Sequence, residues 1–192
     1  MKKFELTSET KINIFGKKLF RIKALISFAD VEAGETGGWV EKEGNVNQSG
    51  DAWVYGNAEV SGNAKVSGDA KVYGNAKVSG DAEVSGDADV SGDAWVSGNA
   101  EVYGNAEVYG NAWVYGNAEV YGNADYTTIH GFGTQFRTTT FFRCKDKKVR
   151  VACGCFFGTI PEFREQVKNT RKGKIAEEYL MIADLMENHF EK

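Results

Sequence analysis

The sequence predicts a mainly β protein built around a β-solenoid, on three observations. Residues 49 to 126 repeat every six positions without an insertion, giving thirteen hexads from SGDAWV to YGNADY. Alanine and valine recur two apart in each hexad, from Ala52 to Ala124 and from Val54 to Val120, with Tyr126 in the last slot. A Gly-Asn or Gly-Asp pair stands in every one. Residues two apart share one face of a strand, so alanine and valine point inward and the residue between them points out. The Gly-Asn or Gly-Asp pair supplies the positive-φ corner. Each hexad is thus one short strand and one corner. Such a strand cannot bury its own face, but stacked copies form a continuous narrow core, and small inward residues suit that interior.

Val54 followed by Ala58, and Val60 followed by Ala64, place an aliphatic residue and then a small one four positions later. In this the segment resembles the hexapeptide-repeat family. The resemblance implies a left-handed triangular β-helix with three hexads per coil. Traced backwards, Val46 takes the alanine slot before Ala52, Gln48 the next valine slot, and Val40 the alanine slot before that. The helix is then expected to begin near Gly37 and to run for about five coils, roughly 24 Å at about 4.8 Å per layer.

An open solenoid end exposes apolar core and unpaired backbone, so both ends need caps. Three segments follow: an N-terminal β cap over 1–36, the β-helix over 37–126 and an α+β C-terminal module over 127–192. The cap shows strand-like alternation in KINIFGKKLFRIKAL. In the module, TTTFFRCKD and KVRVACGCF read as two strands joined by a turn over 145–148. Thr159 and Glu162 form a capping box with Pro161 in the first turn. Ile160, Phe163 and Val167 mark one face of a helix that ends near Gly173, and Ile175, Tyr179, Ile182 and Met186 mark a second. A ββαα module is predicted. The stretches ISFADVEAGETGGWVEKEG and YTTIHGFGTQFRTTTFFRCKDKKVRVACGCFFGTIPEF resemble a phage- and prophage-associated group of hexapeptide-repeat proteins. That resemblance spans nearly the whole chain and brings no established activity with it.

The net charge of −4 is unevenly spread. Residues 49–126 hold 12 acids and 3 lysines (−9), and residues 127–192 hold 12 bases and 8 acids (+4), which bears on partners rather than on fold. No apolar run approaches the about 18 residues of a membrane span. The start, MKKFELTSET, meets Glu5 before any apolar stretch and does not read as a signal peptide. A cytoplasmic location is expected, the host cytoplasm for a phage-encoded chain. Cys144, Cys153 and Cys155 fall short of a disulfide framework.

Hexapeptide-repeat proteins include acyltransferases with a histidine general base and carbonic anhydrases with three zinc-binding histidines. Both chemistries need neutral imidazole. This chain has only His130 and His189, neither of them in a hexad, and no loop interrupts the hexads to form a coenzyme A pocket. The Cys-x-Cys spacing of Cys153 and Cys155 is not the common zinc knuckle. No catalytic residue, cofactor or metal is expected.

With three hexads per coil, positions 18 apart stack in columns. One column reads Glu59, Lys77, Trp95, Trp113; a second Trp53, Lys71, Asp89, Glu107, Asp125; the third Lys65, Glu83, Glu101, Glu119. Outward Trp53, Trp95 and Trp113, with Tyr115 beside them, form an interface for a protein partner or for a homo-oligomer, a dimer or trimer. Glu83, Glu101 and Glu119 stack like charges, which a basic partner relieves. Such a wall reads either as solvated or as an imitation of DNA offered to a nucleic-acid-binding protein. Lys145, Lys147, Lys148 and Arg150 read as a solvated hairpin tip, with direct nucleic-acid contact the lesser reading. The expected function is a non-catalytic β-helix binding or scaffold protein, phage-associated and acting through protein–protein interaction. Its specific form is a counter-defence, anti-CRISPR-like inhibitor of a host defence protein. The alternatives are a hexapeptide-repeat acyltransferase and a structural assembly subunit.

Overall fold

The computed structural model describes residues 2–191; Met1 and Lys192, the outermost residues of the two predicted end segments, lie outside them. The chain opens with an antiparallel hairpin of β1 (Phe4–Ile12) and β2 (Lys18–Ala24). β3 (Thr36–Val40) runs antiparallel to β2 and forms the first rung of the solenoid. Twelve two-residue strands follow at six-residue intervals, from β4 (Trp53–Val54) to β15 (Glu119–Val120). They stack in three parallel ladders. One holds β3, β5 (Glu59–Val60), β8 (Lys77–Val78), β11 (Trp95–Val96) and β14 (Trp113–Val114). The second holds β4, β7 (Lys71–Val72), β10 (Asp89–Val90) and β13 (Glu107–Val108), and the third β6 (Lys65–Val66), β9 (Glu83–Val84), β12 (Glu101–Val102) and β15. Val60 pairs with Val78 and Val96 with Val114, eighteen residues apart, so three hexads make one coil and the solenoid has about five turns.

The hexad explains this directly. From Ala52 to Val120 every repeat alanine and valine is essentially inaccessible. The backbone of each corner bonds to the corner one coil later, as where Asp69 N–H donates to the Gly86 carbonyl at 2.9 Å. The solenoid therefore has a continuous core, its coils joined by backbone hydrogen bonds at strand and corner, and needs no long strand.

The first coil departs from the predicted phase. Val40 pairs with Val60 and Val46 with Val66, each twenty residues on rather than eighteen. The two extra residues lie between Val46 and Val54, so Val40 and Val46 fill valine slots rather than alanine slots, and Gln48 stands outside the core column. The longer corner holds the cap. Gln48 Oε1 accepts from the N–H groups of Lys3 and Phe4 at 2.7 and 3.2 Å, and its Nε2 donates to the Phe4 carbonyl at 3.1 Å. Fully buried Asn45 donates to the carbonyls of Gly62 and Ala64 at 3.2 and 2.8 Å, satisfying backbone that no earlier rung can reach.

After the last hexad comes a four-stranded antiparallel sheet of β16 (Tyr126–Phe132), β17 (Arg137–Arg143), β18 (Val149–Cys153) and β19 (Phe156–Thr159). Two helices complete the chain, α1 (Ile160–Thr170) and α2 (Gly173–Phe190). The prediction of two strands is corrected to four. β16 grows out of the final hexad, and β19 is only four residues long and runs straight into the helix cap, so neither had turn signals on both sides. The capping box forms: Thr159 Oγ1 accepts from Glu162 N–H, and Glu162 Oε2 accepts from Thr159 N–H at 2.7 Å. Tyr126, Phe142, Cys144 and Ala152 close the last coil, and the opposite face of the sheet carries the helices. No helix among the described residues is long and apolar enough to cross a membrane.

Candidate interaction surfaces

The outward hexad position sets the tryptophan wall. Trp95 and Trp113 lie in register on β11 and β14, their rings edge to face with centroids 5.4 Å apart. Trp113 is 42% exposed, while Trp95 is half-buried. Phe15, at the tip of the β1–β2 hairpin, packs on Trp95 at 5.3 Å, and Trp95 Nε1–H donates to Ser79 Oγ at 3.2 Å. Lys11, beside the tip, is paired with Glu59 of the same wall at 2.8 Å. Ile12, Ile14 and Phe15 are themselves exposed at the hairpin tip, and Phe15 carries the apolar feature from the tip onto the indole pair. A shallow groove of about 190 Å³ lies between Trp95, Ser97, Trp113 and Tyr115. Tyr115 faces the module rather than open solvent, half-buried with its ring 4.5 Å from Phe157 and 6.2 Å from Phe142.

Trp53 does not belong to this surface. Expected on an outer wall, it is fully buried. β4 is the first rung of its ladder, so no earlier coil covers that end of the core, and the cap closes it instead. Phe4 and Phe28 pack edge-on against the indole at 5.8 and 5.4 Å. Gly37 leaves room for it, since a Cβ there would lie 2.6 Å from the ring. Trp53 Nε1 has no hydrogen-bond partner among the described residues.

Glu83, Glu101 and Glu119 stack in register above Lys65, as their spacing requires. Their charge is answered within the chain. Lys65 lies 3.6 Å from Glu83, Lys145 pairs with Glu101, and Lys147 lies 3.3 Å from Glu119. Tyr103 O–H donates to Glu119 at 2.8 Å. The Tyr103 hydroxyl first, and then Lys147, hold the Glu119 carboxyl below its ordinary range, and the same hydrogen bond pushes the Tyr103 phenol up to about 12. Three glutamates thus face three lysines. The turn over 145–148 lies over this wall, so the expected open acidic face is corrected, while the tip itself stays exposed to solvent, Lys147 by 80% of its side chain. Arg143–Asp125, Lys145–Glu101 and Lys147–Glu119 are the ion pairs that join the basic tail to the acidic middle.

Asp125, extrapolated as a further rung of the second column, turns the chain instead. Its Oδ2 accepts from the N–H groups of Tyr121 and Gly122, and its Oδ1 lies 3.3 Å from Arg143. His130 Nδ1 lies 3.1 Å from Thr138 Oγ1 on the exposed face of the β16–β17 hairpin, and His189 packs edge-on to Phe190. Among the described residues no group of three or more His, Cys, Asp or Glu is placed to hold a metal ion. Burial pushes the Cys144 thiol up to about 11; Cys153 accepts from Thr139 Oγ1 at 3.1 Å; Cys155 is exposed.

A family model described as the YdcK beta solenoid repeat matches residues 100–116. These residues contain β12, β13 and β14, one rung from each ladder and nearly one full coil. No curated protein matches the sequence. The repeat match and the three ladders together identify a β-solenoid repeat architecture, which fits a scaffold or binding role.

Proposed function

We propose that the protein is a non-catalytic β-solenoid scaffold that recognises a protein partner through the wall bearing Trp95 and Trp113. The observation that carries this reading is the edge-to-face indole pair, exposed at Trp113 and continued by Phe15 on Trp95. Rigid rungs fix the spacing of the two rings before binding, so little side-chain entropy is lost on association. Aromatic side chains held in this way are the common anchors of protein interfaces. The glutamate column, neutralised by Lys65, Lys145 and Lys147, offers a partner little net field, which favours recognition by the aromatic wall over imitation of DNA.

The resemblance to phage-associated hexapeptide-repeat proteins makes a bacterial host protein the partner to seek first. A counter-defence inhibitor of a nucleic-acid-binding defence protein, acting in the host cytoplasm, is the specific form of this proposal. The test is affinity capture from host lysate with the full chain, repeated with Trp95→Ser/Trp113→Ser after confirming an unchanged melting profile. Loss of one discrete host protein in the double variant supports the reading, and unchanged recovery removes the wall from it. Acetyl-coenzyme A titrated by calorimetry tests the catalytic alternative, the hexapeptide-repeat acyltransferase. Saturable binding in the micromolar range would overturn the non-catalytic reading.

A further inference from the structure

The C-terminal module contains eleven described cations outside the solenoid, and seven of them pair with carboxylates: Arg143, Lys145, Lys147, Arg150, Arg164, Lys168 and Lys174. Arg137, Lys148, Arg171 and Lys172 have no such partner among the described residues. Three of these four line a single cleft of about 680 Å³ between the β16–β17 loop and the α1–α2 joint. No aspartate or glutamate lines it. In a chain of net charge −4, three cations that line one cleft without a lining carboxylate leave it positive, which suits a bound anion.

The rest of the lining is selective. Gln135, Gln166 and Asn169 supply amide donors and acceptors, and the half-buried Phe156 ring supplies an apolar floor beside buried Tyr179. Arg137 also reaches the neighbouring pocket, where Gly154, at φ +60, lies against its guanidinium. Lys172 is the N-cap residue of α2 and makes no side-chain cap, so the first amide groups of an 18-residue helix lie next to the same cations.

We infer that this cleft binds a phosphate-bearing small molecule, with Arg137, Arg171 and Lys172 on the phosphate. Guanidinium forks match phosphate oxygens two at a time, which the ammonium of Lys172 complements as a point charge. The volume falls in the roughly 300–1,000 Å³ range of small-molecule sites, and the Phe156 floor with neighbouring amides suits a planar base. A mononucleotide therefore uses the whole cleft, and inorganic pyrophosphate only its cationic part.

The test titrates the full chain with pyrophosphate and, separately, with AMP by calorimetry. Both are expected to bind saturably below the millimolar range, and tighter AMP binding assigns the nucleotide, whereas equal or weaker AMP binding assigns the phosphate alone. Arg137→Gln/Arg171→Gln changes two exposed side chains and is expected to leave the melting profile intact while weakening both ligands by at least about tenfold. Lys148→Gln, which removes the unpaired cation outside the cleft, is expected to leave binding unchanged. As an independent readout, either ligand should slow alkylation of Cys155, which lines the same cleft, as followed by peptide mass. Absence of saturable binding by both ligands, or equal binding by wild type and the double variant, overturns the proposal.

Discussion

Phe141 and Phe142 are neighbours in the chain and are fully buried in two different cores. Both lie on β17, where successive side chains point to opposite faces. Phe142 closes the last coil of the solenoid, packing near Tyr115 and Phe157. Phe141 meets Phe163 of α1 edge to face at 6.2 Å. The four-stranded sheet is thus a partition with the solenoid on one side and the helices on the other.

Truncating either ring is expected to cost about 3–5 kcal/mol, but in different places. Phe141→Ala should speed amide exchange in α1 and α2 while the middle rungs stay protected. Phe142→Ala should instead expose β13, β14 and β15. Hydrogen exchange resolved by mass spectrometry checks this, and identical exchange maps for the two variants would show that the sheet does not separate two cores.

Trp53 and Trp113 occupy equivalent hexad positions and are expected to respond oppositely. Trp53→Ala empties the seam between cap and first coil and should cost about 3–5 kcal/mol. Trp113→Ala removes a partly exposed ring and should change stability by about 1 kcal/mol or less. Trp53→Phe should be milder than Trp53→Ala, because it keeps most of the volume and removes a buried N–H that lacks a partner. Denaturant melts of the three variants test the order.

The corner glycines separate two costs that usually coincide. Gly86 and Gly56 both have positive φ, at +69° and +57°. A Cβ on Gly86 would lie 3.0 Å from Gly104 N of the next coil, whereas one on Gly56 meets nothing within 4 Å. Gly56→Ala should therefore cost only the left-handed penalty, about 1–2 kcal/mol. Gly86→Ala should cost more by whatever the coils lose in parting. Equal losses would mean that the corner contact carries no energy.

These contrasts also show which parts of the fold the sequence could reveal. From Ser49 onward each rung is specified locally, since the inward pair and its corner fall in one hexad, so register and columns follow by counting. The first coil escapes such counting because its two extra residues serve a contact with Lys3 and Phe4, more than forty positions away. The same reason hides Trp53: its hexad reads like any other, and only the missing coil before it turns the ring into core. Lys145 and Lys147 read as a solvated turn, which they are, but no local pattern records that this turn lies over Glu101 and Glu119. The cationic cleft is less legible still, because Arg137 and the Arg171–Lys172 pair come from separate elements whose meeting no local pattern records.

The bond from Tyr103 to Glu119 makes the docking of that turn depend on pH. The Glu119 carboxyl is held below its ordinary value, so its contribution is complete above the unfolded glutamate pKa and is lost as pH falls through the lowered folded value. The Tyr103 phenol is raised, so its contribution is complete below about 10, the ordinary tyrosine value, and is lost as pH rises through about 12. Between these limits the hydroxyl donates to a charged acceptor. Tyr103→Phe is expected to lower the melting temperature at neutral pH by about 2 °C, the effect of one partly solvated hydrogen bond in a chain of this length. The difference from wild type should vanish under acid conditions that protonate Glu119. Lys147→Gln should show the same loss in acid but, unlike Tyr103→Phe, should also shrink with added salt, because an exposed ion pair is screened and a hydroxyl bond much less so. A Tyr103→Phe deficit that persists unchanged into acid would mean that the tyrosine stabilises the wall by packing on Tyr121, whose ring centroid lies 5.0 Å away, and not by its bond to the carboxylate.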